Sequence, residues 1–253
     1  MMRREPDYPK DFQRHALFLD FDGTLADIAP KPWLATLEPG IRETLARLRA
    51  NFDGALAVVS GRQLEDIDVM LGLPGIPAAG IHGAQLRTAD GRVSIEEAMR
   101  CEIDRVEIDL RQAIGSFDGL LLERKPVSVA VHYRGAPARE EEIRMLAARI
   151  VQPRPQLKCL SGRKIVEILP SGVDKGKAIA RLLQTPPFQG RIPVFAGDDI
   201  TDEDGLAAVN ALGGVSIKIG PGPSAAPFGF DTGARFRAWL KVLSEYMPAE
   251  KNA

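Results

Sequence analysis

Three short, unbroken apolar runs each end in acidic or small polar residues, and this pattern restricts the fold more than any other feature. Ala16-Leu17-Phe18-Leu19 runs into Asp20, Asp22, Gly23 and Thr24. Residues 55–59 end at Ser60-Gly61, and residues 192–196 end at Gly197-Asp198-Asp199. Runs of this length without polar interruption read as strands buried on both faces, the habit of a parallel sheet. Helical patterns alternate with them. Ile41, Leu45, Leu48 and Phe52 share one face after Pro39-Gly40, with Glu43 and Arg47 supporting each other at i,i+4. Leu64, Ile67 and Leu71 mark a second helix. The alternation returns late in the chain, with a helix from Lys175, the strand at 192–196, a helix bearing Leu206, Ala207 and Val209, and a strand at 215–219. Strand, polar turn and helix in repetition predict a parallel α/β sheet with crossover helices.

The middle of the chain departs from that grammar. A helical period over residues 96–114 is followed by strands at 120–123 and 127–133, then by a helix with Ile143, Leu146, Ala147 and Ile150 on one face. Strands at 157–160 and 165–169 close the set. The separations Arg124-Lys125-Pro126 and Ser161-Gly162-Arg163 are hairpin-like, so these strands are expected to be antiparallel. The predicted organisation is a core from residues 1–98 and 173–253, with an α+β cap inserted at 99–172.

Composition removes several functions. The 253 residues are 45% hydrophobic and 26% charged, which is globular rather than disordered. Lys plus Arg number 33 against 34 Asp plus Glu, a net charge of -1 with no basic stripe, so nucleic acid is not an expected partner. No apolar run approaches the ~18 residues of a spanning helix, and the N-terminal residues are polar and punctuated by Pro. Cys101 and Cys159 are far apart and outside any CxxC pattern. A soluble protein of the reducing cytoplasm is expected. Oligomeric state leaves no trace in the sequence, and a monomer is one option left open.

In open parallel sheets, ligands sit beyond the carboxyl ends of the strands, where the polar clusters fall. Asp20-Phe21-Asp22-Gly23-Thr24 could be only a turn, but carboxylates two apart at the end of a buried strand crowd charge that a cation would relieve. A calcium loop does not fit, since Leu25 and Lys31 occupy the positions of its Gly and Glu. Ser60 to Gln63 has the form of a capping box, a role compatible with phosphate binding at a helix start. Thr201 with Asp204 also resembles a cap, which leaves Asp198 and Asp199 unexplained. Lys175 opens a helix against the dipole, at a cost of a few tenths of a kcal/mol, as though placed for an anion.

These clusters, in this order, resemble the four motifs of the haloacid-dehalogenase superfamily of phosphotransferases. They stand here as Asp20-Phe21-Asp22-Gly23-Thr24-Leu25, Val59-Ser60-Gly61-Arg62, Asp174-Lys175-Gly176 and Gly197-Asp198-Asp199-Ile200-Thr201-Asp202-Glu203. Ile81-His82-Gly83-Ala84, Glu123-Arg124-Lys125 leading into His132-Tyr133-Arg134, and Lys164-Ile165-Val166-Glu167 narrow the resemblance to the trehalose-6-phosphate phosphatase family. Residues 1–14 and 220–233 carry none of it. The resemblance implies a Rossmann-like core with a cap and a Mg²⁺-dependent phosphatase with Asp20 as nucleophile and Asp22 as acid, then base. It implies that Asp20, the main-chain carbonyl of Asp22 and Asp198 hold the metal, with Asp199 and Asp202 behind them. Ser60, the amide of Gly61 and Lys175 would hold phosphate, and Arg62, His82, Gly83, Glu123, Lys125 and Glu167 the sugar.

Elementary electrostatics agrees with those roles. A carboxylate approaching a phosphate dianion meets about 8 kcal/mol of repulsion at ~4 Å and an effective dielectric of ~20, so fixed positive charge is required. Oxygen donors suit Mg²⁺, whereas three scattered histidines make a poor zinc site. Like charge beside Asp20 is expected to raise the pKa of Asp22 and fit it for proton transfer. Glu123 and Lys125, two apart on a strand, share a face, and Glu167 lies in the other hairpin with Ile165 and Leu169. From pattern alone an ordinary solvated sheet face is the better account of these three; only the resemblance implies that they are sugar ligands. The expected reaction is hydrolysis of trehalose 6-phosphate. The alternatives are a phosphatase for sucrose 6-phosphate or mannosyl-3-phosphoglycerate, and a sugar-phosphate sensor without turnover.

Overall fold

The computed structural model describes all residues except 1, 2, 8, 10, 116, 117, 163 and 247–253. The first strand, β1 (His15–Leu19), is inaccessible from Ala16 onward, so both faces of the sheet are covered there. It is followed by α1 (Ile41–Asn51), β2 (Leu56–Val59), α2 (Leu64–Leu71) and β3 (Ala78–Gly80). Two short strands, β4 (Gln85–Arg87) and β5 (Val93–Ile95), extend this side of the sheet antiparallel. The chain returns to the sheet with α5 (Lys175–Leu182), β10 (Ile192–Gly197), α6 (Glu203–Ala211), β11 (Val215–Ile219), β12 (Phe228–Phe230) and α7 (Gly233–Glu245).

Strand order across this eight-stranded sheet is β12-β11-β10-β1-β2-β3-β4-β5. β1 pairs in parallel with β10 on one side, His15 opposite Ile192, and with β2 on the other, Leu17 opposite Leu56. Because the order runs away from β1 in both directions, a crevice opens past its carboxyl end. Asp20 follows β1 at that point, Ser60 follows β2 and Asp198 follows β10. Helices α1 and α7 pack together, as do α5 and α6, and the core joins Phe18, Leu45, Leu48, Ile179, Phe195 and Leu240, all fully buried.

Between β5 and α5 the chain builds a separate four-stranded antiparallel sheet. Its elements are α3 (Arg100–Ile114), β6 (Leu121–Lys125), β7 (Ser128–His132), α4 (Glu140–Val151), β8 (Leu157–Gly162) and β9 (Ile165–Pro170), with strand order β6-β7-β9-β8. Ile103, Val106 and Leu110 of α3 and Ile143 and Ala147 of α4 pack with Val129, Val131, Val166 and Ile168. Period two then sends Glu123, Lys125, Ser128 and Glu167 to the other face, where Glu123 stands opposite Ala130 and Ala130 opposite Glu167. Arg163 of the second hairpin turn lies outside the described residues. Ile81, Ala84, Val127, Leu169 and Val173 form a third apolar cluster at the junction of the two sheets. Among the described residues, no helix is long and apolar enough to cross a membrane.

Two local expectations are corrected. Ser60 does not cap α2: the N-cap is Gln63, and the Leu64 amide donates instead to Gln85 Oε1 at 3.0 Å. Ser60 Oγ accepts from the Arg62 amide at 3.2 Å, because the residues after it turn before the helix begins. Thr201 and Asp204 likewise form no capping box. Asp202 Oδ2 accepts from the amides of Asp198 and Asp199, both at 2.9 Å, and closes the turn after β10 one step earlier.

Candidate active site

A cavity of about 650 Å³ lies between the end of the parallel sheet and the open face of the smaller one. Asp20, Asp22, Ser60, Gly61, Arg62, His82, Glu123, Lys125, Glu167, Lys175, Asp198, Asp199 and Asp202 all line it. Gly83 does not. It sits against Ala178 of α5, where a β-carbon would lie 3.0 Å from that of Ala178, so its smallness serves helix packing.

The floor is a dense charge cluster. Lys175 is the first residue of α5, and Asp174 caps that helix by accepting from the Lys177 amide at 2.7 Å. Lys175 Nζ donates to Asp20 Oδ1 at 2.7 Å and to Asp202 Oδ1 at 2.5 Å. Burial lowers the pKa of Lys175, but the charges of Asp20 and Asp202 outweigh it and leave the ammonium well above its ordinary range. Asp20 Oδ2 accepts from Thr24 Oγ1 at 3.2 Å. Burial drives the Asp20 carboxyl well above its usual value, Asp202 and Asp198 push the same way, and Lys175 opposes them. Asp198 is pushed up to about 7, again by burial first and then by Asp202 and Asp199. A second ammonium, from Lys218 on β11, donates to the main-chain oxygens of Asp198 and Ile219.

Asp20, Asp198 and Asp202 each offer an oxygen within 4.8 Å of the others. The oxygen-only donors and the upward shifts of Asp20 and Asp198 both fit a hard divalent cation, which would relieve the crowding. Asp199 is outside this group. Asp202 belongs to it, but Oδ1 meets Lys175 and Oδ2 meets two amides, so its present contacts brace the turn. Gly23 clears the space: at φ +85°, its β-carbon would fall 2.1 Å from Asp198 Oδ2.

Asp22 and Arg62 form a pair that their spacing in sequence does not announce. The like charge around Asp20 comes from Asp202 and Asp198 rather than from Asp22. Asp22 is gripped in a bidentate pair by Arg62, Nε to Oδ2 at 2.7 Å and Nη2 to Oδ1 at 2.6 Å. Arg62 Nη2 also donates to the Pro32 carbonyl at 2.9 Å, so this guanidinium braces Asp22 and a loop.

The roof comes from the smaller sheet. Lys125 Nζ donates to Glu167 Oε1 at 3.1 Å and to the Gly61 carbonyl at 2.9 Å, crossing from one sheet's territory to the other's. Ser128 Oγ donates to Glu167 Oε1 at 2.5 Å, and His82 Nε2 lies 3.4 Å from Glu167 Oε2. Burial would push the Glu167 carboxyl up, but Lys125, His82 and Ser128 hold it well below the ordinary carboxylate range. Burial lowers the pKa of His82, partly opposed by Glu167, and its Nδ1 is buried without a partner. Burial likewise depresses Lys125, yet Glu167 and Glu123 raise it overall. Glu123 Oε2 accepts from His132 Nε2 at 2.6 Å; burial pushes its carboxyl up, but that bond and the charge of Lys125 hold it below its ordinary value.

Pattern reading did not anticipate the loop at residues 28–33, Lys218, Ser128 or the contribution of His132. The loop has no period to read, and Lys218 alternates within a strand as any surface lysine would. Only its burial, at 5% exposure, marks it out.

A family model described as trehalose-phosphatase matches residues 18–228. The Escherichia coli (strain K12) trehalose-6-phosphate phosphatase is 39% identical over 236 residues, covering 93% of this chain and 89% of that one. A crystal structure described as a trehalose-6-phosphate phosphatase related protein superposes with a TM-score of 0.75 at 28% identity, covering 91% of this chain and 97% of the other. A haloacid dehalogenase-like hydrolase from Bacteroides thetaiotaomicron shares the fold at a TM-score of 0.67 and 14% identity, over 92% of this chain and 99% of that one.

Proposed function

The chain belongs to the trehalose-phosphatase family, and we propose on that premise that it hydrolyses trehalose 6-phosphate to trehalose and phosphate by way of an aspartyl-phosphate on Asp20. The observation that carries this reading is the convergence of Asp20, Lys175, Asp198 and Asp202 on the floor of a cavity roofed by Glu123, Lys125 and Glu167. An oxygen of Asp20 attacks phosphorus as the bond to the sugar oxygen breaks, and Asp22 delivers a proton to the departing alkoxide. Water then attacks phosphorus and gives a proton to Asp22 as the bond to Asp20 breaks, releasing inorganic phosphate and freeing the Asp20 carboxylate. Arg62 must loosen its hold for Asp22 to do this, and a leaving group entering the cavity offers the competing partner.

Lys175, Ser60 Oγ and the Gly61 amide supply donors for the phosphoryl oxygens. Asp20, the main-chain carbonyl of Asp22 and Asp198 would hold a divalent cation, Mg²⁺ by the hardness of the donors, with Asp199 and Asp202 supporting the turn behind. When bound, it neutralises charge on nucleophile and phosphate together. We read residues 99–172 as a cap that grips the disaccharide through Glu123, Lys125 and Glu167, and residues 1–98 and 173–253 as the catalytic core. The setting this reading assumes is cytoplasmic, with a small sugar phosphate as the only partner.

Phosphate release from a panel of trehalose 6-phosphate, sucrose 6-phosphate, mannosyl-3-phosphoglycerate and glucose 6-phosphate, with and without Mg²⁺, tests it. Trehalose 6-phosphate should lead, chelation should abolish turnover, and Asp20→Asn should reduce kcat by at least about 10³-fold. Equal rates on glucose 6-phosphate end the disaccharide assignment, and an active Asp20→Asn ends the nucleophile assignment.

A further inference from the structure

The cavity lining differs sharply in exposure. Asp20 and Lys175 on its floor and Glu167 in its roof are each 3% exposed, whereas Leu121 reaches 36%. Trp33, from the core side, lines the same cavity and is 61% exposed. The chain has two tryptophans, and the other, Trp239, is packed in the core at 7%. An indole left open to water forgoes the largest burial any side chain offers, so its position calls for an occupant.

The indole is also held in place. Arg62 Nη2 donates to the Pro32 carbonyl at 2.9 Å, one residue before it, through the same guanidinium that grips Asp22. Arg237 pins the loop on both flanks by donating to Asp27 Oδ1 at 2.9 Å and to Glu38. Lys31 Nζ stands 5.3 Å from the centre of the Trp33 ring and takes one of its faces. Beyond that contact the side chain stays largely open, at the cavity it lines.

We propose that Trp33 is a specificity-determining residue, stacking its indole on the C–H face of the sugar ring remote from the phosphate. The inference rests on the trehalose 6-phosphate reading and deepens it. The polar cap groups reach hydroxyls along the edges of the disaccharide, whereas an indole recognises the apolar face that a pyranose ring presents. With the phosphate on the floor and Trp33 open to solvent, the indole is assigned to the second ring, which a single-ring ester lacks. The contact exists in ground state and transition state alike, and its loss therefore falls on KM rather than kcat.

Two measurements test this. In steady-state assays, the preference for trehalose 6-phosphate over glucose 6-phosphate should fall about tenfold in Trp33→Ala, through KM, and less in Trp33→Phe. In Trp239→Phe, where Trp33 is the sole indole, added trehalose should shift its emission to the blue and shield it from iodide. An unchanged preference in Trp33→Ala, or quenching unaffected by trehalose, overturns the inference while leaving the assigned reaction standing. A wild-type enzyme without any preference for the disaccharide removes both.

Discussion

Asp20, Asp198 and Asp202 put three carboxylates within reach of one another, and Lys175 and Lys218 supply two ammoniums to the same few ångströms. The balance is close to neutral until a phosphate dianion enters, at which point a divalent cation, if bound there, would restore it. Asp198 makes this measurable. Its carboxyl sits near pH 7 in the folded chain against 3.8 for a free side chain. Between those values the folded state holds a proton that the unfolded state has released, so this group's contribution to stability is full below about pH 4 and lost as the pH rises through about 7. A cation competes with that proton. The gain in Tm on adding Mg²⁺ should accordingly be larger at pH 8 than at pH 6, and calorimetry should detect proton release on binding at the lower pH. A gain that is equal at both values contradicts the coupling.

At the scale of elements, α7 does more than close the sheet. Its buried Arg237 reaches across to the Thr24 carbonyl at 3.2 Å as well as to Asp27 and Glu38, tying the turn after Asp20 to α7. Arg237→Met keeps most of the volume but removes these donors, and should cost about 2 kcal/mol in urea denaturation. A loss under about 0.5 kcal/mol would mean the tie is incidental. The same elements show what the sequence discloses. Residues 16–19 announce β1 because a strand buried on both faces has no room for a polar residue, and Lys175 stands out because it opposes its own helix dipole. Strands β3, β4, β5 and β12, of three residues each, are too short to show a period and exist through pairing with neighbours. Phe236, Trp239, Leu240 and Leu243 of α7 do carry helical spacing, a signal that only their common burial makes decisive. The capping residues misled because Gln85 and Asp202, distant or displaced in sequence, satisfy the amides first. Arg62 was legible as a site residue, but its partner Asp22 is a matter of tertiary placement.

Across the whole molecule, two apolar cores are joined by a small third cluster and by a polar clasp, Lys125 to the Gly61 carbonyl and Glu167 to His82. β8 also packs against residues 200–202 of the core, and the chain passes between the two bodies twice, so closure about those crossings, which would exclude water from the phosphoryl step, is the motion to test. X-ray scattering from Asp20→Asn should show a smaller radius of gyration with trehalose 6-phosphate than without it. Identical curves would count against closure by the ligand. The register of β1 has a further consequence. Its partner on one side, β2, is made soon after it, but the other side waits for β10, with the whole cap intervening. During synthesis the central strand therefore emerges from the ribosome with one edge bare, a sticky surface until nearly four-fifths of the polypeptide has been made. Chains terminated before β10 should therefore be both inert and prone to clump.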